Sequence, residues 1–361
     1  MKEKELFIEL CSYKTNEPDR LKDLLPENAT PAVLGHLFFN RMQGIAYGTL
    51  KENHLLGLVN REFRNSLQGA YYQNIERNKN YFACLKQLID ILTPCRGQYA
   101  LLKGAVLGKL YPEGYRTASD IDLLVRPSDV TEIGAVLSRA GFRQGHIRGS
   151  EFVPAARQEI IESKMMRGET VPYIKEINHP FYKFLEVDIN YSLDFKNSAT
   201  LQVDSMLEQV GEVTIDGLNL ITLSRYDFFI HLCGHLYKEA TTLPWVKMKR
   251  DMSLYKFMDI YLLLQDLTAF DLQDLYARAK KLDMAEICSF AILWTAALLP
   301  LHNDAAVYFA RQELAGKEEI LNTVLSPQEH KSYIFTEPDL KVRFFAANRM
   351  QLLKEVESCE N

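Results

Sequence analysis

The stretch Leu101–Val125, LLKGAVLGKLYPEGYRTASDIDLLV, decides the fold of this chain. An apolar run ends at Lys103-Gly104, and a segment with a Pro/Gly turn separates it from the acidic pair Asp120 and Asp122. Three apolar residues follow the pair, and a run of this kind predicts a central strand buried on both faces. Residues i and i+2 of a strand point to the same side, so we expect the two carboxylates to project together.

Two further features favour a cation or phosphate role over the simpler interpretation, in which the acidic pair marks a turn or a solvated strand edge. At Lys103-Gly104, a strand-to-helix turn would direct backbone N–H groups toward a phosphate. A third acid, Asp188, lies in the strand-like run 184–190, where an unpaired charge is costly. Hard cations such as Mg²⁺ prefer carboxylate oxygens. Glu186 shares the strand face of Asp188, so either residue could be the third ligand.

The composition is that of an ordinary globular protein, with 361 residues, of which 47% are hydrophobic and 25% charged. The net charge of −5 creates no strong field toward nucleic acid or anionic membranes, which argues weakly against RNA and DNA partners. Six scattered cysteines without a Cys-x-x-Cys pair are typical of thiols in a reducing cytosol. The charged N-terminal segment lacks a signal-peptide core, and the longest uncharged stretch, 287–301, is too short to span a membrane. We therefore expect a cytoplasmic protein.

Hydrophobic spacing divides the chain into three regions. Residues 1–93 have apolar residues at helical spacing and predict an N-terminal helical region. Residues 94–221 predict an α/β core with short strands in mixed order, and residues 222–361 predict a C-terminal helical domain. The expected fold is therefore α+β, with a small mixed β-sheet flanked by N- and C-terminal helical regions.

Within the core, apolar runs and turn residues predict short alternating elements. Strands are expected at 98–102, 121–125, 171–178, 183–191 and 212–220, and helices at 104–110, 128–140, 154–164 and 198–209. After the core, Ser224 is expected to cap a helix over 225–239, and residues 241–250 are expected to form a basic loop.

Four short motifs resemble those of the nucleotidyltransferase superfamily with the DNA polymerase β-type fold. They are Lys103-Gly104, Arg116, Ser119-Asp120-Ile121-Asp122 and Glu186-Val187-Asp188. More narrowly, the chain resembles the bacterial uncharacterised nucleotidyltransferase family. That likeness extends to helical signatures at 223–237, which holds His235, and at 257–263, which holds Asp259. One departure is Ala105 after Gly104, where many superfamily members have Gly-Ser or Gly-Gly, and it weakens a hydroxyl contact to a triphosphate.

The resemblance implies transfer of a nucleoside monophosphate from a nucleoside triphosphate (NTP, such as ATP) to an acceptor, with release of pyrophosphate. Asp120, Asp122 and Asp188 are the implied catalytic and metal residues, which would bind two Mg²⁺ ions. The implied nucleotide-binding residues are Lys103, Gly104, Arg116 and Ser119. His235 and Asp259 are candidates for lining the site, although such positions more often belong to a packed core or a buried network.

Three functions stay open at this point. The first is transfer to a hydroxyl or similar group of a small molecule, peptide or protein. The second is a toxin-like enzyme that adds nucleotides to tRNA, against which the negative charge and the lack of aromatic-basic interleaving argue. The third is a non-catalytic nucleotide-binding or scaffold protein, against which the intact acidic triad argues. Phosphoester hydrolysis has less support, because no His-Asp cluster of that type is present. We therefore expect a small molecule or peptide rather than tRNA as acceptor, and no membrane or DNA partner.

Overall fold

The computed structural model describes residues 2–166, 168–193, 200–327 and 329–356. Two compact units make up the chain: residues 72–231, here called the α/β unit, and residues 1–71 with 232–361, here called the helix-rich unit. The α+β class expected from the sequence is confirmed, with a mixed sheet and helical regions. The division into three domains at 93/94 and 221/222 stays a prediction.

The helices and strands are numbered along the chain. In chain order the α-helices are α1 (Lys2–Cys11), α2 (Pro18–Asn28), α3 (Pro31–Phe39), α4 (Gln43–Glu52), α5 (Arg61–Leu92), α6 (Gly104–Leu107), α7 (Val130–Arg139), α8 (Arg157–Met166), α9 (Thr200–Leu207), α10 (Arg225–Ala240), α11 (Leu243–Lys247), α12 (Leu254–Gln265), α13 (Ala269–Lys281), α14 (Ala285–Leu298), α15 (Asp304–Glu313) and α16 (Leu340–Phe344). The strands are β1 (Tyr99–Leu101), β2 (Ile121–Val125), β3 (Arg143–Arg148), β4 (Glu151–Pro154), β5 (Tyr173–His179), β6 (Tyr182–Asn190), β7 (Val210–Ile215), β8 (Leu218–Leu223), β9 (Thr323–Ser326), β10 (Lys331–Phe335) and β11 (Leu353–Val356).

The α/β unit is built on a mixed sheet with the strand order β4-β3-β5-β6-β2-β1-β8-β7. The pairs β2–β6 and β1–β8 are parallel, whereas the other neighbouring strands are antiparallel. Alternate residues of β2, such as Ile121 and Leu123, join an apolar core with Leu85 of α5 and Ile133 of α7. The intervening residue, Asp122, therefore faces the opposite side of the sheet.

Local signals explain how several elements of this unit begin. Ser224 accepts a hydrogen bond from the backbone N–H of Asp227 (3.4 Å), so the predicted cap of α10 is confirmed. Asp216-Gly217 joins β7 to β8, and both residues have positive φ (49° and 76°), which is the requirement of a two-residue type I′ hairpin.

Three sequence predictions of secondary structure are wrong or incomplete. The segment 143–154 forms the hairpin β3–β4, which the sequence reading missed, so the helix expected from residue 154 begins at Arg157. The single strand expected at 212–220 is the hairpin β7–β8. Residues 198 and 199 of the helix expected at 198–209 lie outside the described residues, and α9 covers 200–207.

The helix-rich unit also differs from the all-helical expectation for residues beyond 222. Strands β9, β10 and β11 form a three-stranded antiparallel sheet in the order β11-β10-β9. Val324 and Phe335 of this sheet share a small apolar core with Leu243 and Val246 of α11. The segment 241–250, expected to be a basic loop, therefore contains a short helix whose apolar side is buried.

Candidate metal centre

Three aspartates converge on one face of the mixed sheet. In the parallel pair β2–β6, Asp122 lies directly opposite Asp188, and Asp120 immediately precedes β2. One carboxylate oxygen from each of the three residues lies within 4.8 Å of the other two. The parallel register is what brings Asp188 to the pair, since the two strands are more than sixty residues apart in the chain. The structure therefore assembles a set of oxygen ligands of the type that hard cations prefer.

Glu186, the alternative third ligand, lies outside this group. It is two residues before Asp188 in β6 and therefore on the same face of the strand. Burial and the charge of Asp120 raise the pKa of Glu186, so its carboxyl group interacts electrostatically with the aspartates. Because the carboxylate oxygens of Asp120, Asp122 and Asp188 converge, Asp188 is favoured over Glu186 as the third ligand.

The three aspartates create a strongly unfavourable concentration of negative charge. Burial raises the pKa of Asp122, and the nearby Lys103 amine opposes this rise only in part. Burial and the charges of Asp122 and Asp120 hold the pKa of Asp188 well above its ordinary value. Both carboxyl groups therefore resist ionisation, although the Lys103 amine lies beside them. A divalent cation at this position would offset the repulsion between the carboxylates and favour their ionised forms.

Lys103 places a positive charge beside Asp122. Its Nζ donates to Oδ1 of Asp122 at 2.6 Å, and Asp122 itself is only 3% exposed. Burial by itself lowers the pKa of the Lys103 amine, but the charges of Asp122 and Asp120 outweigh it, so the net pKa is raised. The residue sits at the start of α6 with φ of 40°, a conformation that is uncommon for a residue with a side chain. The amine predicted to meet a phosphate thus bonds a carboxylate in this structure.

Gly104 follows Lys103 and makes a close approach to the loop before β2. A Cβ atom placed on Gly104 would lie 2.3 Å from the Cβ of Ala118, far inside the ordinary contact distance. The glycine is therefore required by a steric contact between the start of α6 and this loop. The predicted contact of Gly104 with a phosphate stays a prediction.

Ser119 and Arg116 occupy different surroundings. Ser119 Oγ donates to Oδ1 of Asp120 at 3.3 Å, so it belongs to the aspartate group. The Arg116 guanidinium lies 5.9 Å from the ring centroid of Tyr111 and lines a cavity of about 440 Å³, which Gly104 also lines. None of the three aspartates is among the described residues that line this cavity. The four predicted nucleotide-binding residues thus divide between the aspartates and the adjacent cavity.

Four side chains that the sequence reading did not select hold the loop before β2. We call them the carbonyl clamp: Asn74, Asn78 and Tyr81 of α5, and Tyr182 of β6. Each donates a hydrogen bond to a main-chain carbonyl oxygen of the loop: Asn74 to Gly114 (2.9 Å), Asn78 to Arg116 (2.7 Å), Tyr182 to Ala118 (2.6 Å) and Tyr81 to Asp120 (3.3 Å). In the sequence, only the spacing of Asn74, Asn78 and Tyr81 points to the clamp, because it places all three on one helix face.

His235 and Asp259 belong to the helix-rich unit. Nε2 of His235 lies 3.3 Å from Oε1 of Glu239 one turn later in α10, and Glu239 also pairs with Lys256 of α12. Asp259 is buried on α12. Their role in lining the nucleotide site stays a prediction.

A family model described as "Uncharacterised nucleotidyltransferase" matches residues 28–300, a range that includes the three aspartates, Lys103 and the carbonyl clamp. The chain belongs to this family. Membership of the uncharacterised nucleotidyltransferases supports a role in nucleotidyl transfer. In addition, every helix in the described ranges is too short or too polar to cross a membrane.

Among solved structures, the family member is similar to an antigenic nucleotidyltransferase-like protein from Paracoccidioides brasiliensis. The sequence identity is 14% and the TM-score is 0.32, with 59% of this chain and 92% of the other chain covered. A similarity this low does not inform the fold or the function. No curated protein matches the chain.

Proposed function

We propose that the protein is a Mg²⁺-dependent nucleotidyltransferase that moves a nucleoside monophosphate from an NTP to an acceptor hydroxyl or similar group. Pyrophosphate is the second product. The observation that carries the proposal is the convergence of Asp120, Asp122 and Asp188, whose oxygens lie within 4.8 Å of one another. Three carboxylates in this arrangement are a poor structural element and a suitable site for hard cations.

The residues present fit two Mg²⁺ ions. Asp120 and Asp122 would hold both ions and Asp188 would complete one of the two sites, since each carboxylate has two oxygens to offer. Burial first and mutual repulsion second raise the pKa values of Asp122 and Asp188, and bound cations would relieve the repulsion. Bound ions would stabilise the attacking and leaving oxygens of an in-line displacement.

The side chains then have separate tasks. Asp188 orients the acceptor hydroxyl and accepts its proton as a general base. The acceptor oxygen forms a bond to the α-phosphorus, and the bond from that phosphorus to the bridging oxygen of pyrophosphate breaks. The proton ends on Asp188, and the electron pair leaves with pyrophosphate. The chain contributes mainly position and charge, as in other phosphoryl transfers.

The triphosphate would be bound by four residues. The Lys103 amine is held by the negative charge of Asp122. With metal bound to that carboxylate, the amine would be free to bind the phosphates. Arg116 offers a planar fork for a phosphate, and Ser119 offers a hydroxyl beside Asp120. Gly104 allows a phosphate to approach the main chain, because it has no side chain to intervene.

The acceptor is proposed to be a small molecule or peptide, since the net charge of −5 disfavours tRNA. We further propose a bacterial, cytoplasmic protein, and the free cysteines among the described residues fit a reducing compartment. A toxin-like enzyme acting on tRNA and a non-catalytic scaffold are the alternatives.

The test incubates the protein with each α-labelled NTP and Mg²⁺, with and without total tRNA. Label in protein, or label in a small-molecule adduct formed together with pyrophosphate, supports the proposal, whereas label in tRNA supports the toxin-like alternative. Nucleotide cleavage that needs no acceptor identifies hydrolysis, and absence of NTP binding leaves only a scaffold. The Asp122→Asn variant should abolish transfer, while Asp204→Asn, at a half-exposed position on α9, is the matched control. Equal transfer by wild type and Asp122→Asn contradicts the proposal.

A further inference from the structure

The loop that carries the site residues has no regular secondary structure to hold it. Residues 116–119 belong to no helix or strand, yet the loop delivers Arg116, Ser119 and Asp120. A metal ligand on such a loop needs support, because a displacement of about 1 Å can cost 100-fold in rate. The source of that support lies in the loop's main-chain carbonyl groups.

Every second carbonyl of the loop, at residues 114, 116, 118 and 120, accepts a hydrogen bond from a side chain of the carbonyl clamp. The donors Asn74, Tyr81 and Tyr182 are buried, and Asn78 is half-buried. A buried donor that loses its acceptor pays the full cost of desolvation, so these contacts resist release. The regular alternation means that the loop is held along its whole length rather than at one point.

The elements that bear the clamp are firmly anchored in the α/β unit. Leu85, Leu88 and Leu92 of α5 belong to the same apolar core as the sheet strands. Tyr182 lies on β6, the strand that also carries Asp188. The clamp therefore connects the loop to helix α5 and to β6, the strand that carries Asp188.

We infer that Asn74, Asn78, Tyr81 and Tyr182 are positioning residues that act through the main chain of 114–120 to place Asp120 and Arg116. None of the four needs to touch metal or nucleotide for this role. The inference rests on the proposed function for the identity of the ligands, but the grip on the loop can be measured without it.

The first measurement is tryptic cleavage after Arg116, which requires the loop to open. Asn78→Leu removes the donor and keeps a side chain of similar size. Tyr81→Phe, which removes only a hydroxyl, is the second variant in case Asn78→Leu does not fold. Loss of one hydrogen bond should speed cleavage at Arg116 about ten-fold relative to cleavage at other sites of the same chain. Asn80→Leu is the matched control, since Asn80 lies on the same helix and donates to the carbonyl of Glu76 within that helix. Equal cleavage at Arg116 in Asn78→Leu and Asn80→Leu overturns the inference.

The second measurement is the affinity for Mn²⁺, determined by electron paramagnetic resonance. Asn78→Leu and Tyr81→Phe should each bind Mn²⁺ several-fold more weakly than wild type, because Asp120 is no longer held in place, whereas Asn80→Leu should bind as wild type does. A loosened loop with unchanged Mn²⁺ affinity refutes the positioning role. If wild type binds no Mn²⁺, the proposed function fails, and the cleavage at Arg116 still decides whether the clamp holds the loop.

Discussion

Replacing Gly104 by alanine tests the close approach between α6 and the loop before β2. The new Cβ would lie 2.3 Å from Cβ of Ala118, whereas apolar carbon atoms pack at about 3.5–4.0 Å. One side must therefore move by more than about 1 Å. The carbonyl clamp holds the loop that contains Ala118 and therefore resists this displacement.

Overpacking of this kind costs about 1–3 kcal/mol of unfolding free energy. The displaced neighbours, Lys103 and the loop that ends in Asp120, belong to the aspartate group, so a shift near 1 Å should also lower kcat/KM by roughly 100-fold. Urea unfolding measures the first effect, and release of pyrophosphate from an NTP measures the second.

Two further variants show whether the contact itself is responsible. Gly108→Ala is the matched control, because its Cβ would lie 3.7 Å from the Phe82 ring, an ordinary contact. The double variant Gly104→Ala/Ala118→Gly removes the opposing methyl group and should recover most of the lost stability. The steric explanation is refuted if Gly104→Ala unfolds like wild type, or if the double variant is no more stable than Gly104→Ala alone.

Three other predictions concern the ionised groups. Asp122→Asn should weaken Mn²⁺ binding at least 100-fold by calorimetry, since even outer-shell changes cost roughly 10–100-fold. Wild type should bind Mn²⁺ more tightly at pH 8 than at pH 5, because protons compete at the raised pKa values of Asp122 and Asp188, and equal affinity contradicts those shifts. Burial raises the pKa of Asp251 to about 6 despite its partner Arg349. The folded state therefore binds the extra proton, and the unfolding free energy should fall by about 2 kcal/mol as the pH rises from 4 to 6. Asp251→Asn should remove this pH dependence, which urea unfolding at several pH values between 4 and 6 measures. The same pH dependence in the variant would falsify the argument.

The parts of the fold that were predictable carry strong local signals. The apolar run at 121–125 predicted β2 at its observed bounds, and the cap at Ser224 predicted the start of α10. The hairpin β3–β4 was missed because its strands lie at the sheet edge, where exposed polar residues such as Arg143 and Arg148 hide the alternation. The Asp216-Gly217 pair is a typical signal for the turn between β7 and β8, although the sequence prediction placed a single strand there.

The candidate site was predictable where its geometry is local. The strand rule placed Asp120 and Asp122 on one side, and it named Asp188 and Glu186 as the options for a third carboxylate. The choice between them depends on the register of two strands distant in the chain, which no local pattern encodes. The carbonyl clamp was invisible for a different reason. Its acceptors are main-chain oxygens, which every residue possesses, so only the donor side leaves a trace in the sequence.

A loop gripped by its main-chain oxygens keeps its course whichever amino acids occupy its outward positions. Mutations at such positions can alter what the loop offers to an incoming molecule without disturbing the aspartate at its end. Within one family, the aspartate group and the surface that the loop presents can then change separately.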